Sequence, residues 1–532
     1  MTDRDNATRG DLSKVYADSR ARTDALDEKL GARPATEPSF AVRDQAGGVL
    51  VSVTRDDIHH PVIRGLSARA DAAEPAARAV REGFSDGAFA IGDEVGHLAF
   101  SGDALELRHA HIRRIDGRLA ALEAGGGGSG DGWRSAATLA ELLHFMSLGQ
   151  SLSTGYRSTP VLSSAALTGA YRFVGGVRPQ EGTTTSANDE SDDAANYASL
   201  VGLNEVLTPH DGLRGETPCY GLAQMLKQLL ADEDGIDLEA GTELLLSAPG
   251  QGWSTVQELS SGFRWDRIPR NISNGSARAG DGGKSYALSG IAWTQGENDY
   301  LGGTARAAYR QSVIAYLAQV RAAAFAATGV DRPIPMLLAQ TATHLDAGRA
   351  TPTIALAQLD LASEEMIGFA TPLYFMAQAD DLHITNASSK WLGAYYGLGF
   401  KRWLFDGEKP RPLTIESAQA YGSIAIAHLP SAVGGLTLDV TTVPAQPQNG
   451  FTVVDSGGAN VPVALELISR DRIKFTAAVP LAGCTLRYAW AGSATKGLGN
   501  VRDNAGASLI FDPAGINQPM HRWLPICEVP FE

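Results

Sequence analysis

The sequence predicts an α/β protein: a parallel sheet with helices on both faces, an N-terminal β-repeat and helical stalk ahead of it, and a C-terminal β-sandwich behind. Three observations point there. Strand-like apolar runs alternate with helical stretches from residue 133 to about 413, a glycine-rich run precedes that region, and helix signals vanish after about 414.

At 532 residues the chain has room for roughly three to four domains. Its 44% hydrophobic and 20% charged residues are ordinary for a soluble protein. A net charge of −15 disfavours nucleic acid and anionic membrane surfaces, whose phosphates need clustered Lys and Arg. Three cysteines, an odd number, make no disulfide framework. The first 31 residues are polar, unlike a signal peptide, and no run of about 18 apolar residues exists to span a membrane.

Taken in order, residues 1–33 hold a short helix. Leu12, Tyr16, Ser19, Thr23, Leu26 and Leu30 draw a narrow stripe suited to self-association, a frayed terminus being the plain alternative. Residues 34–124 contain a tandem repeat. Phe40 to Gly47 matches Phe89 to Gly96 at an offset of 49, which also pairs His60 with His109 and Arg64 with Arg113. Each unit alternates apolar and polar residues about an Asp-x-x-Gly turn, a hairpin signal, so a spacer or attachment module is expected. Residues 125–132 are a flexible linker by composition. In 133–413, strands are expected over 144–148, 242–248, 286–293, 334–340 and 369–377, with helices over 221–230, 305–327 and 354–366. In 414–532, the alternating segments 436–443, 461–467 and 473–478 suggest a β-sandwich.

Ligands of open parallel sheets bind beyond the carboxyl ends of the strands. Ser151 follows the first strand, Gly250-Gln251-Gly252 the second, Asn298 the third and His383 the fifth. Together they supply a nucleophile, backbone donors, an amide donor and a carboxylate–imidazole pair, which are the parts of acyl transfer through serine. Gly-x-Ser alone means little in a chain with 59 glycines. Among 11 histidines, only His383 combines a strand end with a carboxylate three residues upstream, Asp380. His210 and His344 lack that partner, and His144 lies within a strand, where a packed core role fits better. Asn298 offers a neutral donor to an oxyanion; its plain reading is a turn residue. Gly250 and Gly252 both offer an unobstructed N–H, and the sequence does not choose between them. Gly83-Phe84-Ser85-Asp86-Gly87 fits a nucleophile elbow, but a helix precedes it and a strand follows, the reverse of what that motif requires. His109-Ala110-His111 could bind a metal at a symmetric axis, but plain strand residues are the better reading. No Cys/His cluster near the site has zinc spacing and the one Gly-rich run is a linker, so no metal and no organic cofactor is expected.

These blocks resemble the SGNH hydrolase superfamily, in its sialate O-acetylesterase-like and acetylxylan-esterase-like branch. Gly149-Gln150-Ser151 matches its first block, Gly252 its second, Gly296-Glu297-Asn298-Asp299 (after Gln295) its third, and Asp380-Asp381-Leu382-His383 its fifth. Tyr488-Ala489-Trp490, Gly499-Asn500 and Ala505-Gly506 look like the tail of sialate O-acetylesterases. The likeness covers about 142–386 plus that tail, and the stretch 168–215 departs from compact members. The resemblance implies a flavodoxin-like three-layer domain and a carboxylic ester hydrolase: a serine esterase removing O-acetyl groups from a carbohydrate. Its catalytic residues would be Ser151, His383 and Asp380, its oxyanion hole Ser151, Gly252 and Asn298, and its substrate contacts Gln150, Gln295 and Glu297. The N-terminal repeat looks like part of a phage tail appendage. A homotrimeric, virion-tail enzyme acting on a bacterial surface polysaccharide is therefore expected, with a cytoplasmic or exported deacetylase as the alternative setting. The rival functions are a non-catalytic carbohydrate-binding or structural tail protein and a lipase or thioesterase of the same superfamily.

Overall fold

The computed structural model describes residues 140–532, apart from 181–192, 209–211, 237, 239–241 and 492–497, together with four strands nearer the N-terminus. The chain divides into two units, Met1–Gly130 and Asp131–Glu532. The expected helix within 1–33, the linker at 125–132, the 83–87 pentapeptide and His109-Ala110-His111 lie outside the described residues.

In the first unit, β1 (Pro38–Arg43), β2 (Val49–Thr54), β3 (Phe89–Gly92) and β4 (Leu98–Gly102) form an antiparallel sheet in the order β2-β1-β3-β4. Each repeat supplies one hairpin. Val42 lies opposite Ile91, its equivalent in the other repeat, so the two copies pair about a local two-fold axis.

The second unit is built on seven strands: β5 (Leu142–Gly149), β6 (Leu167–Phe173), β7 (Leu200–Leu203), β8 (Glu243–Ser247), β9 (Tyr286–Thr294), β10 (Met336–Gln340) and β11 (Ile367–Pro372). Their order is β11-β10-β9-β5-β8-β6-β7, and every pairing is parallel except β6 with β7. The five expected strands therefore run 2-1-3-4-5, the doubly wound order of flavodoxin-like sheets, whose switch point falls between the first and third, β5 and β9. Strands β6 and β7 fall almost wholly within the stretch 168–215, where glycine and serine mask the alternation; they extend the sheet at one edge. The expected strand over 369–377 stops at Pro372, and Leu373 to Met376 instead turn inward with buried side chains.

Seven α-helices are used below: α1 (Pro218–Leu229), α2 (Val256–Leu259), α3 (Gly262–Asp281), α4 (Glu297–Gly302), α5 (Arg306–Thr328), α6 (Thr353–Leu361) and α7 (Asn386–Phe400). Strand alternation sorts the core into two faces. Leu143 and Phe145 of β5 pack with Leu222, Met225 and Leu226 of α1 and with Leu392 and Tyr396 of α7. Leu142, Met146 and Leu148 face the other way, with Ile268 and Ile272 of α3 and Val313, Tyr316 and Val320 of α5. Helices α1 and α7 approach closely through glycine: a Cβ on Gly393 would lie 2.1 Å from the Pro218 carbonyl oxygen.

The C-terminal residues form antiparallel sheets. One holds Ser417–Tyr421, Ile424–His428, Arg472–Ala477 and Val463–Ser469; another holds Phe451–Val454, Thr485–Tyr488 and Cys527–Pro530. Their inner faces meet through Phe475, 5.2 Å from Phe451 and 6.1 Å from Phe531. This region shares its core with the α/β part. Phe375 stacks on Trp523 at 4.6 Å, the Tyr374 hydroxyl donates to the Leu524 carbonyl at 2.7 Å, and Gln340 bonds both the N–H (2.8 Å) and the carbonyl (3.0 Å) of Ile526. The change at residue 414 is one of secondary structure, with no break in packing.

Candidate active site

The carboxyl ends of β5 and β9 meet so closely that only glycine fits between them. Gly149 has φ +137°, and a Cβ there would fall 1.9 Å from the Thr294 carbonyl oxygen. The next residues leave the sheet. The Gln150 N–H still bonds Thr294, and Ser151 opens a single tight turn, Ser151–Thr154, closed by the left-handed Gly155.

Ser151 Oγ lies 2.9 Å from His383 Nε2. The His383 ring presents Nδ1 to Asp380, 3.0 Å from each carboxylate oxygen. The three-residue spacing has a local cause. Asp380 Oδ1 accepts the backbone N–H groups of Leu382 (2.9 Å) and His383 (2.7 Å), folding the segment so that the imidazole returns over the carboxylate. The Ala379 N–H to His383 carbonyl bond (2.7 Å) closes the loop, and Thr385 caps α7 directly after it. Hydrogen-bonded relay and turn are one structure.

Burial, the largest influence, lowers the His383 pKa below its ordinary value; Asp380 opposes this and Arg157 adds to it. The imidazole is thus neutral at neutral pH and able to take the serine proton. For Asp380, burial pushes up, but the N–H groups of His383 and Leu382 and the imidazole outweigh it and hold the carboxyl below its usual range. Its side chain remains 39% exposed.

Gly252 stands beside Ser151: a Cβ built on it would lie 3.7 Å from the Ser151 Cβ, with no other side chain within 4 Å. Gly250 faces inward, where a Cβ would strike Ser153 Oγ at 2.3 Å. Among the described residues, neither the Ser151 nor the Gly252 N–H has an acceptor. Asn298, in the first turn of α4, donates its backbone N–H to Gln150 Oε1 at 3.1 Å, and its side-chain amide reaches Glu258 Oε2 at 3.4 Å.

Gln150, Gln295 and Glu297 are buried. Gln150 fixes Asn298, while Gln295 donates to the Ser254 carbonyl (3.1 Å) and Asp299 Oδ2 (2.5 Å). Gln150 and Gln295 thus each bond a neighbouring loop. Burial raises the Glu297 pKa. Asp299 joins α4 to α2 by accepting the Val256 N–H at 3.1 Å.

Two residues escaped the sequence reading. The Tyr156 ring meets the His383 ring edge-on at 4.9 Å and carries the guanidinium groups of Arg157 (5.5 Å) and Arg214 (5.3 Å) over its face. Arg178, buried, donates to the carbonyls of Thr154 (3.1 Å) and Val206 (2.7 Å), tying the turn that carries Ser151 to a distant loop. Tyr156 lies five residues after Ser151 with no motif spacing to mark it, and a lone Arg near glycines signals nothing. His144 is a core residue as expected, bonded to the Tyr286 hydroxyl and Ser247 Oγ at 2.8 Å each, and burial brings its pKa down to about 3. Among the described residues no group of three or more His, Cys, Asp or Glu is arranged to hold a metal ion, and no helix is long and apolar enough to cross a membrane.

No protein-family model matches the chain, and no curated protein does. Solved structures do. A carbohydrate acetylesterase from Xanthomonas citri is similar at 16% identity and a TM-score of 0.44, over 73% of this chain and 80% of that one. An aryl esterase of M. smegmatis aligns at 14% identity and a TM-score of 0.28, over 49% of this chain and 97% of that one. NanS aligns at 12% identity and a TM-score of 0.34, over 50% and 98%. Superpositions this loose leave the chemistry to be judged from the distances at the site.

Proposed function

We propose that this protein is a serine esterase that removes O-acetyl groups from a carbohydrate. The observation that carries the reading is the continuous relay from Ser151 Oγ through His383 to Asp380 at the switch point of the sheet. His383 Nε2 takes the Ser151 proton as Oγ attacks the ester carbonyl. The tetrahedral oxyanion is held by the N–H groups of Ser151 and Gly252 and by the Asn298 amide, which leaves Glu258 to reach it. His383 returns the proton to the departing sugar hydroxyl, leaving an acetyl-serine. Water then attacks that ester, again giving its proton to His383; the bond to Oγ breaks, His383 returns the proton to Ser151 Oγ, and acetate leaves. Asp380 fixes the tautomer with Nδ1 protonated. Gly252 leaves room for the acyl methyl beside Ser151.

Ser151→Ala tests the reading. Turnover of 4-nitrophenyl acetate should fall by several orders of magnitude, to what the oxyanion donors alone sustain. Undiminished turnover would remove Ser151 from the reaction. A series of aryl esters separates an acetylesterase, which peaks at acetate, from a lipase or thioesterase, which peaks at long chains.

The proposed setting is a homotrimeric phage tail enzyme acting on a bacterial surface polysaccharide, attached through Met1–Gly130. The paired hairpins of that unit and the sequence likeness of its repeat to a tail appendage support it. Light scattering coupled to size exclusion, on the full chain and on one starting at Trp133, tests it: a trimer reduced to a monomer supports attachment through the first unit, and a monomer in both ends the idea.

A further inference from the structure

Directly after Gly252 the chain adopts a conformation that folding alone does not explain. Trp253 has φ 55°, in the left-handed region that bulky L-residues avoid, and its side chain is 70% exposed. It is the most exposed large apolar residue among those described, whereas Trp293, Trp391, Trp403, Trp490 and Trp523 are all buried. The backbone is strained there, and the indole gains little burial in return.

The position is also held rigidly. On one side, the Gln251 N–H bonds the Gly149 carbonyl at 3.0 Å and its side-chain oxygen accepts from Arg267 at 2.5 Å. On the other, Ser254 Oγ donates to the Gly252 carbonyl (3.2 Å) and accepts from Arg264 Nε (3.0 Å), and the Ser254 carbonyl accepts from Gln295 (3.1 Å). Arg157, Gln448, Asn449 and Ala489 also have positive φ, but among these residues only Trp253 pairs that strain with a largely exposed aromatic ring, and it adjoins the glycine that flanks the nucleophile, which marks a functional position.

We propose that Trp253 is a substrate-stacking and specificity-determining residue: its indole face receives the pyranose ring that bears the acetyl ester. A pyranoside presents an apolar face of axial C–H groups, whose natural complement is a flat, rigid aromatic surface; Trp supplies a large contact area at low conformational cost. Because neighbouring bonds fix the backbone, little ordering is needed when sugar arrives. This assignment rests on the esterase reading and adds what the site grips: the sugar ring, beside the reacting ester.

The test compares substrates with and without a ring. A pH-stat assay on the full chain follows acetate release from triacetin, from methyl tetra-O-acetyl-β-D-glucopyranoside and from partially acetylated xylo-oligosaccharides. Trp253→Ala should raise KM for the pyranosides at least tenfold while kcat stays within about threefold, and should lower the pyranoside-to-triacetin ratio of kcat/KM at least tenfold. Trp253→Phe should recover most of that ratio. Trp253→Gly, which relieves the backbone, should melt no lower than wild type yet lose pyranoside preference as Trp253→Ala does, so misfolding does not explain the loss. An unchanged ratio in Trp253→Ala and Trp253→Gly overturns the stacking role alone. A wild-type protein that cleaves triacetin but neither pyranoside overturns both stacking and the carbohydrate reading, leaving an esterase. One that cleaves none of the three overturns the esterase reading as well.

Discussion

Replacing Asp380 by Asn isolates the part of the relay that is easiest to misjudge. The turn survives, since the carbonyl oxygen of the new side-chain amide can still accept the Leu382 and His383 N–H groups that Asp380 Oδ1 now accepts at 2.9 and 2.7 Å. The other end of the side chain becomes an NH2 donor 3.0 Å from Nδ1, while the carbonyl oxygen, at the same distance, is already taken up by those two N–H groups. That favours the tautomer with the proton on Nε2, the atom 2.9 Å from Ser151 Oγ, which then has no lone pair for the serine proton. In a fully buried triad this mismatch costs about 10⁴ in kcat. Here the carboxylate is 39% exposed, and water reaching it lowers the penalty for the correct tautomer, so a loss of about 10³ is expected, or about 4 kcal/mol at 1.36 kcal/mol per decade. Asp380 raises the His383 pKa against the larger lowering by burial. Removing its charge should therefore move the acid limb of the kcat/KM profile to lower pH as the plateau falls. Initial rates on 4-nitrophenyl acetate from pH 4.5 to 8.5, with circular dichroism to verify the fold, measure both. A loss under tenfold, or a limb that stays put or moves up, would refute this account of the tautomer and leave Asp380 a turn residue.

In the wild type, the acid limb should titrate below pH 6.5, since burial depresses His383 and only its neutral form is a base; the kcat/KM profile reports this directly. Asn298→Ala should lower kcat about 10²- to 10³-fold with little change in KM, whereas Glu258→Ala, which frees the amide from its present acceptor, should leave the rate equal or higher. Gly252→Ala makes only ordinary van der Waals contact with Ser151 in the free protein, so its melting temperature should match wild type while its kcat/KM falls as the added methyl crowds the acyl group. His144, held neutral with a pKa near 3, contributes stability that is complete above pH 6.5 and is lost as pH falls toward 3. By pH 4.5 that loss is about 3 kcal/mol; urea midpoints at pH 7 and 4.5 should converge in His144→Gln relative to wild type.

Residues whose local structure and chemistry share one cause were legible in the sequence. Asp380 and His383 could be paired because the carboxylate that orients the imidazole also caps the turn carrying it. Ser151 and Asn298 could be placed together because strands and helices alternate plainly enough to fix the carboxyl ends of β5 and β9, and Gly149 marks where those strands crowd. Long-range contacts were not legible. Gln150 and Gln295 adjoin Ser151 and Asn298 in sequence, which says nothing of the distant groups they bond. In the fold they are buried, and the loop bonds of Gln150 and Gln295 span up to 148 residues. Strands β6 and β7 were missed because each carries an interior glycine, Gly169 and Gly202, that interrupts the apolar pattern a strand is read from. The surroundings of Gly250 and Gly252 also waited on tertiary structure, since they depend on which way a missing side chain would point. The same segment holds Trp253, whose significance no spacing signals: an exposed indole in a left-handed backbone is visible only once φ and exposure are known together. A motif identifies the groups that move protons, because their spacing is constrained by chemistry. The groups that select a substrate are constrained by its shape, and they emerge only when the loops are folded around the place where it would lie.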